Sequence, residues 1–308
     1  MGVAVSVLVL AGGTGGAKLA RGMQDVVGPE QLAVVANTGD DIEIYGAHVS
    51  PDPDLVSFWL ADAIDERGWG LRGDTFNTMD GLRELGTDVW FNLGDRDLAW
   101  CIERMRLLDR GMSPTASLAR LNEALGVRAK VLPMSDDPVR TWVSARSGWR
   151  SFQEFMIREQ SQGLIEGLEF RGAEQARPSA EVLAAIAAAK TIVIGPSNPL
   201  ASIAPILAVP GMREALAAAP APVIAVSPVV GGEILKGPTA SFMAFAGLAC
   251  NVTGVRDFYG ELLDGIVSDE APPEGGPQAL RTDTRMSDAA ARASVAEQVL
   301  RFADSLTG

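Results

Sequence analysis

Short apolar runs alternate with longer stretches of helical spacing along this 308-residue chain. The apolar runs predict strands at 5–10, 32–36, 89–93, 130–132, 191–194 and 223–226. The longer stretches predict helices at 17–27, 55–65, 78–85, 97–109, 114–125, 181–189, 199–207, 212–218 and 287–306. Strands that alternate with helices are typical of a parallel sheet covered on both faces. The pattern therefore predicts one α/β domain over residues 1–308, a Rossmann-like three-layer sandwich with a mostly parallel sheet.

One part of the chain departs from this alternation. Two predicted helices follow each other after residue 97, and residues 140–171 show the weakest periodicity in the chain. We therefore expect a mainly helical insertion at about 97–175 within the single domain. Proline and glycine at 271–278 predict a surface loop rather than a domain boundary.

Polar and glycine-rich segments follow five of the predicted strands at their carboxyl ends. They are GGTGG at 12–16, NTGDD at 37–41, GDRD at 94–97, GPSNP at 195–199 and SPVVGG at 227–232. In open parallel sheets, ligands bind beyond the carboxyl ends of the strands. We therefore expect the five segments to converge at one edge of the sheet and to line one cleft.

The GGTGG segment lies between a predicted strand and a predicted helix. Glycine allows a close approach of the backbone to a ligand, and a helix start offers free N–H groups to a phosphate. The segment differs from the standard motifs, because Lys18 stands where a dinucleotide-binding loop has glycine and Leu19 follows where a Walker loop has Ser or Thr. The segment can therefore either bind a phosphate or simply connect the strand to the helix. The candidate phosphate-binding residues are Gly12, Gly13, Thr14, Gly15, Gly16 and Lys18.

Four aspartates lie close together after the second predicted strand: Asp40, Asp41, Asp52 and Asp54. Carboxylate oxygens are suited to a hard divalent cation such as magnesium. Asp52 as an N-cap and Asp54 in a first helical turn are the alternative, and Asp40 and Asp41 are also typical of a turn. His48 lies between the two pairs, and a lone histidine is more often a surface or packing residue than a base.

Other polar residues have similar alternatives. Ser197 and Asn198 either cap the following helix or present a hydroxyl and an amide to a phosphate. The GDRD segment is either an ion pair that precedes a helix start or part of a catalytic site.

Composition and charge restrict the partners. The formal net charge of −13 argues against binding to nucleic acids and anionic membranes. No segment has the roughly 18 uncharged apolar residues of a membrane span, and no signal peptide is recognised, so we expect a cytoplasmic protein. Two cysteines without paired spacing and one histidine exclude a zinc knuckle and a multi-histidine metal centre.

The ordered motifs together resemble the 2-phospho-L-lactate transferase family (CofD, called FbiA in actinobacteria) of coenzyme factor 420 biosynthesis. The resemblance runs nearly end to end. It rests on GGTGGAKL at 12–19, NTGDD at 37–41, HVSPDPD at 48–54, ERGWG at 66–70, DTF at 74–76, LGDRD at 93–97, LPMSDDPV at 132–139, FQEF at 152–155, GPSNP at 195–199, SPVVGG at 227–232, KGP at 236–238 and TDT at 282–284.

The resemblance implies a reaction. A phospholactyl, phosphoenolpyruvyl or phosphoglyceryl group would move from a guanosine diphosphate-linked donor to the terminal ribityl hydroxyl of 7,8-didemethyl-8-hydroxy-5-deazariboflavin, with release of GMP. It also implies magnesium as cofactor and a homodimer. A nucleotide-binding regulatory protein, or another sugar-nucleotide-type enzyme on the same fold, is the alternative.

The resemblance also implies roles for individual residues. Asp40 and Asp54 would be catalytic and would bind the metal together with Asp41. Asp52, Asp54 and Asn92 would contact the deazaflavin, although Asn92 stands where some relatives have a basic residue. The nucleotide would be bound by Gly12, Gly13, Thr14, Gly15, Gly16, Lys18, Ser197, Asn198, Ser227 and Gly231.

Overall fold

The structure is a computed structural model that describes residues 5–146, 148–234, 238–271 and 274–307. The strands are β1 (Val7–Ala11), β2 (Leu32–Ala36), β3 (Ile42–Ile44), β4 (Ala47–Val49), β5 (Lys130–Pro133), β6 (Arg140–Ala145), β7 (Gly148–Ser151), β8 (Gly167–Arg171), β9 (Thr191–Ile194), β10 (Val223–Val226), β11 (Val229–Val230), β12 (Glu233–Ile234), β13 (Gly265–Ser268) and β14 (Gln278–Arg281).

The helices are α1 (Gly13–Val27), α2 (Pro51–Leu60), α3 (Asn77–Glu84), α4 (Asp95–Asp109), α5 (Pro114–Leu125), α6 (Phe152–Ile157), α7 (Ala180–Ala188), α8 (Ala204–Leu207), α9 (Met212–Ala217), α10 (Thr239–Phe245), α11 (Val252–Tyr259) and α12 (Ala289–Thr307). A single π-helical turn, Pro199–Ile203, precedes α8. No helix in the described ranges is long and apolar enough to cross a membrane.

Seven parallel strands form the central sheet, in the order β14-β13-β10-β9-β1-β2-β5. Successive residues of β1 belong to different cores: Val7 and Val9 pack on one face of the sheet, and Leu8 and Leu10 pack on the other. Strands buried on both faces have continuous apolar sequences, which is why β1, β2, β9 and β10 were predicted from sequence. The prediction of a three-layer α/β fold with a mostly parallel sheet is confirmed.

The two cores hold the helices against the sheet. Residues of α1, α2, α5 and α12 pack with Val7 and Val9. Residues of α7, α9, α10 and α11 pack with Leu8 and Leu10 on the other face. Because both faces are covered, only the ends of the strands are open to a ligand.

The region expected to be a mainly helical insertion, about 97–175, contains strands as well as helices. It includes α5 and α6, most of α4, and four strands. One of these strands, β5, is an edge of the central sheet, whereas β6, β7 and β8 form a separate antiparallel sheet. The division of the chain into one domain with an insertion stays a prediction.

The strand predicted at 89–93 is wrong. Residues 89–93 are irregular chain between α3 and α4. Their apolar side chains are still partly or fully buried, because Val89, Phe91 and Leu93 pack in a small cluster with Met79 and Leu98. The apolar run at 89–93 therefore predicts burial correctly, but its prediction of strand pairing is wrong.

Two predicted helix starts also differ from the structure. Helix α1 begins at Gly13, so the glycines form its first turn rather than a loop in front of it. Helix α2 begins at Pro51 with Ser50 as N-cap, so Asp52 lies in the first turn and is not the cap.

Candidate functional site

The central sheet changes direction between β1 and β9. The chain passes from β1 through β2 to β5 on one side, and then continues with β9 and β10 on the other side. Such a reversal leaves a crevice at the carboxyl ends of the two central strands, where α/β proteins bind ligands. The backbone N–H of Gly12, directly after β1, donates to Ser197 Oγ after β9 at 3.2 Å. The two sides of the crevice are therefore in contact.

Four of the five polar segments follow strands of the central sheet: those after β1, β2, β9 and β10. Because these strands are parallel, the four segments lie at one edge of the sheet, as predicted. The fifth segment, at 94–97, does not follow a strand, and this part of the prediction is wrong. Residues 95–97 are instead the first turn of α4.

Three of the four glycines after β1, Gly12, Gly15 and Gly16, are required by neighbouring protein atoms. A Cβ on Gly15 would lie 2.1 Å from the carbonyl oxygen of Pro196, and one on Gly16 would lie 2.7 Å from Ser197 Oγ. A Cβ on Gly12 would lie 2.5 Å from that of Ser202. The close packing of α1 against the segment after β9 thus explains these glycines without a ligand. Phosphate binding by residues 12–16, Thr14 included, stays a prediction.

Asp52 joins the ends of β1 and β2. Its Oδ1 accepts a hydrogen bond from the backbone N–H of Gly13 at 2.7 Å, and its Oδ2 accepts one from Asn37 Nδ2 at 2.9 Å. Burial raises the pKa of Asp52 to about 6, although both hydrogen bonds act in the opposite direction. Each oxygen already has a donor, so Asp52 holds the crevice together. Its contact with the deazaflavin stays a prediction.

Asp40 differs from Asp52 because one of its oxygens is unused. The residue is 6% exposed, and its Oδ1 has no hydrogen-bond partner among the described residues. Burial, together with the negative charge of Asp52, raises the pKa of Asp40 well above its usual range. A buried carboxylate oxygen without a donor is costly, and carboxylate oxygens are the type of ligand that hard cations prefer. Metal binding by Asp40 stays a prediction.

Asp41 is held by the β3–β4 hairpin and the residue that follows it. His48 Nε2 lies 3.0 Å from Asp41 Oδ2, and Ser50 Oγ donates to Asp41 Oδ1 at 2.7 Å. Asp41 thus has a partner for each oxygen, and its negative charge also contributes to raising the pKa of Asp40, the residue before it in the chain.

Asp54 forms a buried ion pair with Arg104 of α4. Arg104 Nη1 lies 3.0 Å from Asp54 Oδ2, and Nη2 contacts Asp54 Oδ1. Trp100 Nε1 also donates to Asp54 Oδ1 at 2.8 Å. Asp97 lies nearby, and burial together with the charge of Asp54 raises its pKa to about 7. The charge of Asp54 is thus matched by protein groups, which leaves its catalytic and metal-binding roles as predictions.

The sequence motifs did not indicate a role for Arg104 or Trp100. A signal for Arg104 was present, because it lies three residues after Cys101 and three before Leu107, on the apolar face of a predicted helix. A charged residue on an apolar helix face needs a buried partner of opposite charge. Nothing local indicated that the partner lies 50 residues earlier in the chain.

Residues predicted on the nucleotide side have mixed surroundings. Asn198 Oδ1 accepts hydrogen bonds from the N–H groups of Leu200 and Ala201, whereas its buried Nδ2 has no partner within the described ranges. Ser227 Oγ accepts from its own loop, from the N–H of Val229 at 3.2 Å. Asn198 is therefore both a helix cap and an available donor.

Two further candidates on this side bind protein groups. The N–H of Gly231 donates to Asp269 at 2.5 Å, and Lys18 Nζ donates to the carbonyl of Met286 at 3.2 Å. The KGP motif includes residues 236 and 237, which lie outside the described residues. Nucleotide binding by these residues stays a prediction.

Asn92 is exposed and does not follow a strand of the central sheet, and its hydrogen-bond partner does not follow one either. Its Oδ1 accepts a hydrogen bond from Arg83 Nη2 at 2.7 Å. Arg83 therefore supplies a positive charge beside Asn92. No contact within the described part of the chain joins Asn92 to Asp52 or Asp54, and its contact with the deazaflavin stays a prediction.

The GDRD segment and the DTF motif cap each other's helices. Asp95 accepts hydrogen bonds from Thr75 Oγ1 and from two N–H groups at the start of α3. Asp74 accepts from the N–H groups of Arg96 and Asp97 at the start of α4. These hydrogen bonds lower the pKa of Asp95. Both aspartates cap helices here, whereas the structural alternative from sequence was an ion pair within the GDRD segment before a helix start.

Comparisons with known proteins show which family this chain resembles. The family described as 2-phospho-L-lactate transferase CofD matches residues 7–298. A 2-phospho-L-lactate transferase of Methanosarcina mazei is 38% identical over 302 residues, which cover 96% of this chain and 99% of that protein. A phosphoenolpyruvate transferase of Kitasatospora aureofaciens is 39% identical over 319 residues, which cover 97% and 98%.

A solved structure shares the fold. A Bacillus halodurans protein of the UPF0052 family superposes with a TM-score of 0.63 at 18% identity, over 97% of this chain and 100% of that chain. The sequence comparisons identify the family as well as the fold, because the family match covers almost the whole chain. The chain therefore belongs to the 2-phospho-L-lactate transferase CofD family.

Proposed function

We propose that this transferase moves a phosphorylated three-carbon acid from a guanosine diphosphate-linked donor to the terminal ribityl hydroxyl of 7,8-didemethyl-8-hydroxy-5-deazariboflavin. The acid is lactate, enolpyruvate or glycerate, and GMP is the leaving group. Family membership supports the class of reaction, and relatives named for phospholactate and for phosphoenolpyruvate support an acid of three carbons.

The unused carboxylate oxygen of Asp40 is the observation that carries the proposal. It is buried at the end of β2, next to Asp41 and within electrostatic reach of Asp52. We propose Asp40 as the first magnesium ligand, with Asp41 beside it. Bound magnesium would neutralise the charge of the donor phosphates, which phosphoryl transfer requires.

The crevice residues would position the two substrates. The donor phosphates would lie at the start of α1, where the N–H groups of a helix start attract anions. The buried Nδ2 of Asn198 is a further donor for a phosphate oxygen. The acceptor would lie on the other side, near Asp54 and Arg104.

The reaction exchanges one bond to phosphorus for another. The ribityl oxygen of the acceptor attacks the β-phosphorus of the donor, and the bond from that phosphorus to the bridging oxygen of GMP breaks. The hydroxyl proton is lost, and the product is a phosphodiester. Positioning and charge neutralisation are the main contributions of a protein to such a step.

Product mass tests the proposal. The protein is incubated with the deazaflavin, magnesium and each of the three donors in turn. We expect a new deazaflavin phosphodiester and GMP from one donor, which also identifies the acid. Guanine nucleotide binding without product from any donor would contradict the proposal and favour the nucleotide-binding regulatory protein.

Two further expectations from the family are also proposals. We propose a homodimer, which sedimentation analysis of the purified protein measures directly. We propose a cytoplasmic location, which fractionation of the source cells would test.

A further inference from the structure

The only histidine of the chain bridges two carboxylates. His48 lies on β4, opposite Glu43 of β3 in the register of the hairpin. Its Nε2 is 3.0 Å from Asp41 Oδ2, and its Nδ1 is 3.2 Å from Glu43 Oε1. The imidazole is only 14% exposed, whereas the side chain of Glu43 is 56% exposed. His48 therefore links a surface carboxylate to one inside the crevice.

We propose that His48 is a positioning residue of the magnesium site: it holds the carboxylate of Asp41 beside the unused oxygen of Asp40. The inference rests on the proposed function, because that function places magnesium at Asp40. His48 does not touch the substrates in this proposal. It acts through Asp41.

The hydrogen bonds of Asp41 explain how this positioning works. His48 contacts one carboxylate oxygen and Ser50 donates to the other, so the carboxylate plane of Asp41 has a donor at each end. A carboxylate held at both ends cannot rotate freely toward or away from Asp40. Residues that orient a metal ligand in this way typically change metal affinity or activity by about 10- to 100-fold when they are replaced.

The opposite nitrogen of His48 is supported in the same way. Arg140 Nη2 of β6 lies 3.0 Å from the same Glu43 oxygen that faces His48 Nδ1. A row of Arg140, Glu43, His48 and Asp41 thus connects the antiparallel sheet to the crevice. Since Glu43 is exposed, its ion pair with Arg140 contributes little, and we expect the Asp41 contact to dominate.

Two amide substitutions separate the two contacts of the ring. In His48→Gln, the amide nitrogen can reach the place of Nε2 and donate to Asp41. In His48→Asn, the shorter side chain can place its amide nitrogen near Nδ1 and donate only to Glu43. The two variants have similar polarity, so each is the matched control of the other.

Magnesium affinity is measured by titration calorimetry on the full chain saturated with GDP. We expect His48→Asn to weaken magnesium binding by about 10- to 100-fold, and His48→Gln to retain most of it. Thermal unfolding of both variants checks that the fold is kept. Equal affinity of the two variants, whether high or low, would overturn the inference.

The NMR signal of the His48 ring is a second readout, which requires neither turnover nor a measured magnesium affinity. Because the chain has one histidine, enzyme labelled with ¹⁵N-histidine gives ring signals from His48 alone. We expect the Nε2 signal to shift in Asp41→Asn and on addition of magnesium to the wild-type protein. A signal unchanged in Asp41→Asn would overturn the inference. Wild-type protein that binds GDP but no magnesium would overturn the metal part of the proposed function and this inference with it.

Discussion

Two groups of aspartates in this protein have opposite surroundings. In the crevice, Asp40 and Asp52 are buried, and burial raises the pKa of both. Between α3 and α4, Asp74 and Asp95 accept several hydrogen bonds from helix starts, and the pKa of Asp95 is lowered. Burial, rather than the number of donors alone, thus separates the two groups, because the pKa of Asp52 is raised although each of its oxygens has a donor. Within the crevice, Asp40 is the aspartate that also has an oxygen without a donor.

The same difference in surroundings also determines which aspartates stabilise the fold and which do not. The helix-capping aspartates contribute to stability because each satisfies N–H groups that the helix itself leaves free. The crevice aspartates lower stability whenever they are ionised without a counterion, because burial disfavours the charged form. Asp54 lies between these cases: it is buried, but Arg104 neutralises it.

The largest expected effect follows from breaking that ion pair. Asp54→Asn leaves the guanidinium of Arg104 buried without a counterion, and we expect the free energy of unfolding to fall by about 3–5 kcal/mol. Asp95→Ala is the reference for the capping region and should cost clearly less, because it removes a helix cap and leaves no charge buried without a counterion. Urea unfolding of both variants measures the two values. Similar losses would show that the Asp54–Arg104 ion pair contributes no more to stability than a helix cap does.

The next effect concerns turnover. We expect Asp40→Asn to lower the rate at least about 100-fold, since it removes the proposed metal ligand itself rather than a residue that supports a ligand. Unfolding should be unchanged or slightly less favourable, because a buried charge is removed. The matched control is Asp95→Asn, for which we expect a rate close to that of the wild type. A normal rate in Asp40→Asn would contradict its role as ligand.

The smallest expected effect is on the slope of the free energy of unfolding against pH. Burial raises the pKa of Asp52 to about 6 and that of Asp97 to about 7, so between about pH 4 and 7 the native state holds more protons than the unfolded state. The free energy of unfolding therefore falls as pH rises through this window. Asp97→Asn removes one titrating group and should flatten the slope, by at most about 1.4 kcal/mol per pH unit.

Asp95→Asn is the control for this slope. The lowered pKa of Asp95 makes a contribution that is complete above about pH 4 and is lost only at lower pH. Its replacement should leave the slope between pH 4 and 7 unchanged. Thermal or urea unfolding across the pH range measures all three proteins. A slope that Asp97→Asn leaves intact would assign the proton uptake to other groups.

The sequence predicted those parts of the fold that depend on local patterns. Strands such as β1 and β9 were found because burial on both faces leaves a continuous apolar run. The same reasoning failed at 89–93, where apolar side chains are buried without strand pairing. The start of α1 was misplaced because glycine is a poor helix former, and the contacts with Pro196 that require it are remote in sequence.

The candidate site was predicted in part for the same reason. Residues next to strand ends, such as Asp40, were found because topology alone brings strand ends together. Arg104 was missed because its role depends on an ion pair between distant segments. The different roles of the aspartates could not be predicted either, because they depend on which donors each oxygen contacts in the folded protein.

The glycine contacts at the crevice have a consequence for ligand binding. At Gly15 and Gly16, α1 meets the segment after β9 so closely that a methyl group at either position would overlap it. The protein's own atoms hold the two sides of the crevice in contact. A binding site that is already in place loses little conformational entropy when it is occupied. The entropy of ordering this part of the crevice is therefore lost when the chain folds, and does not reduce the affinity for a ligand that binds there.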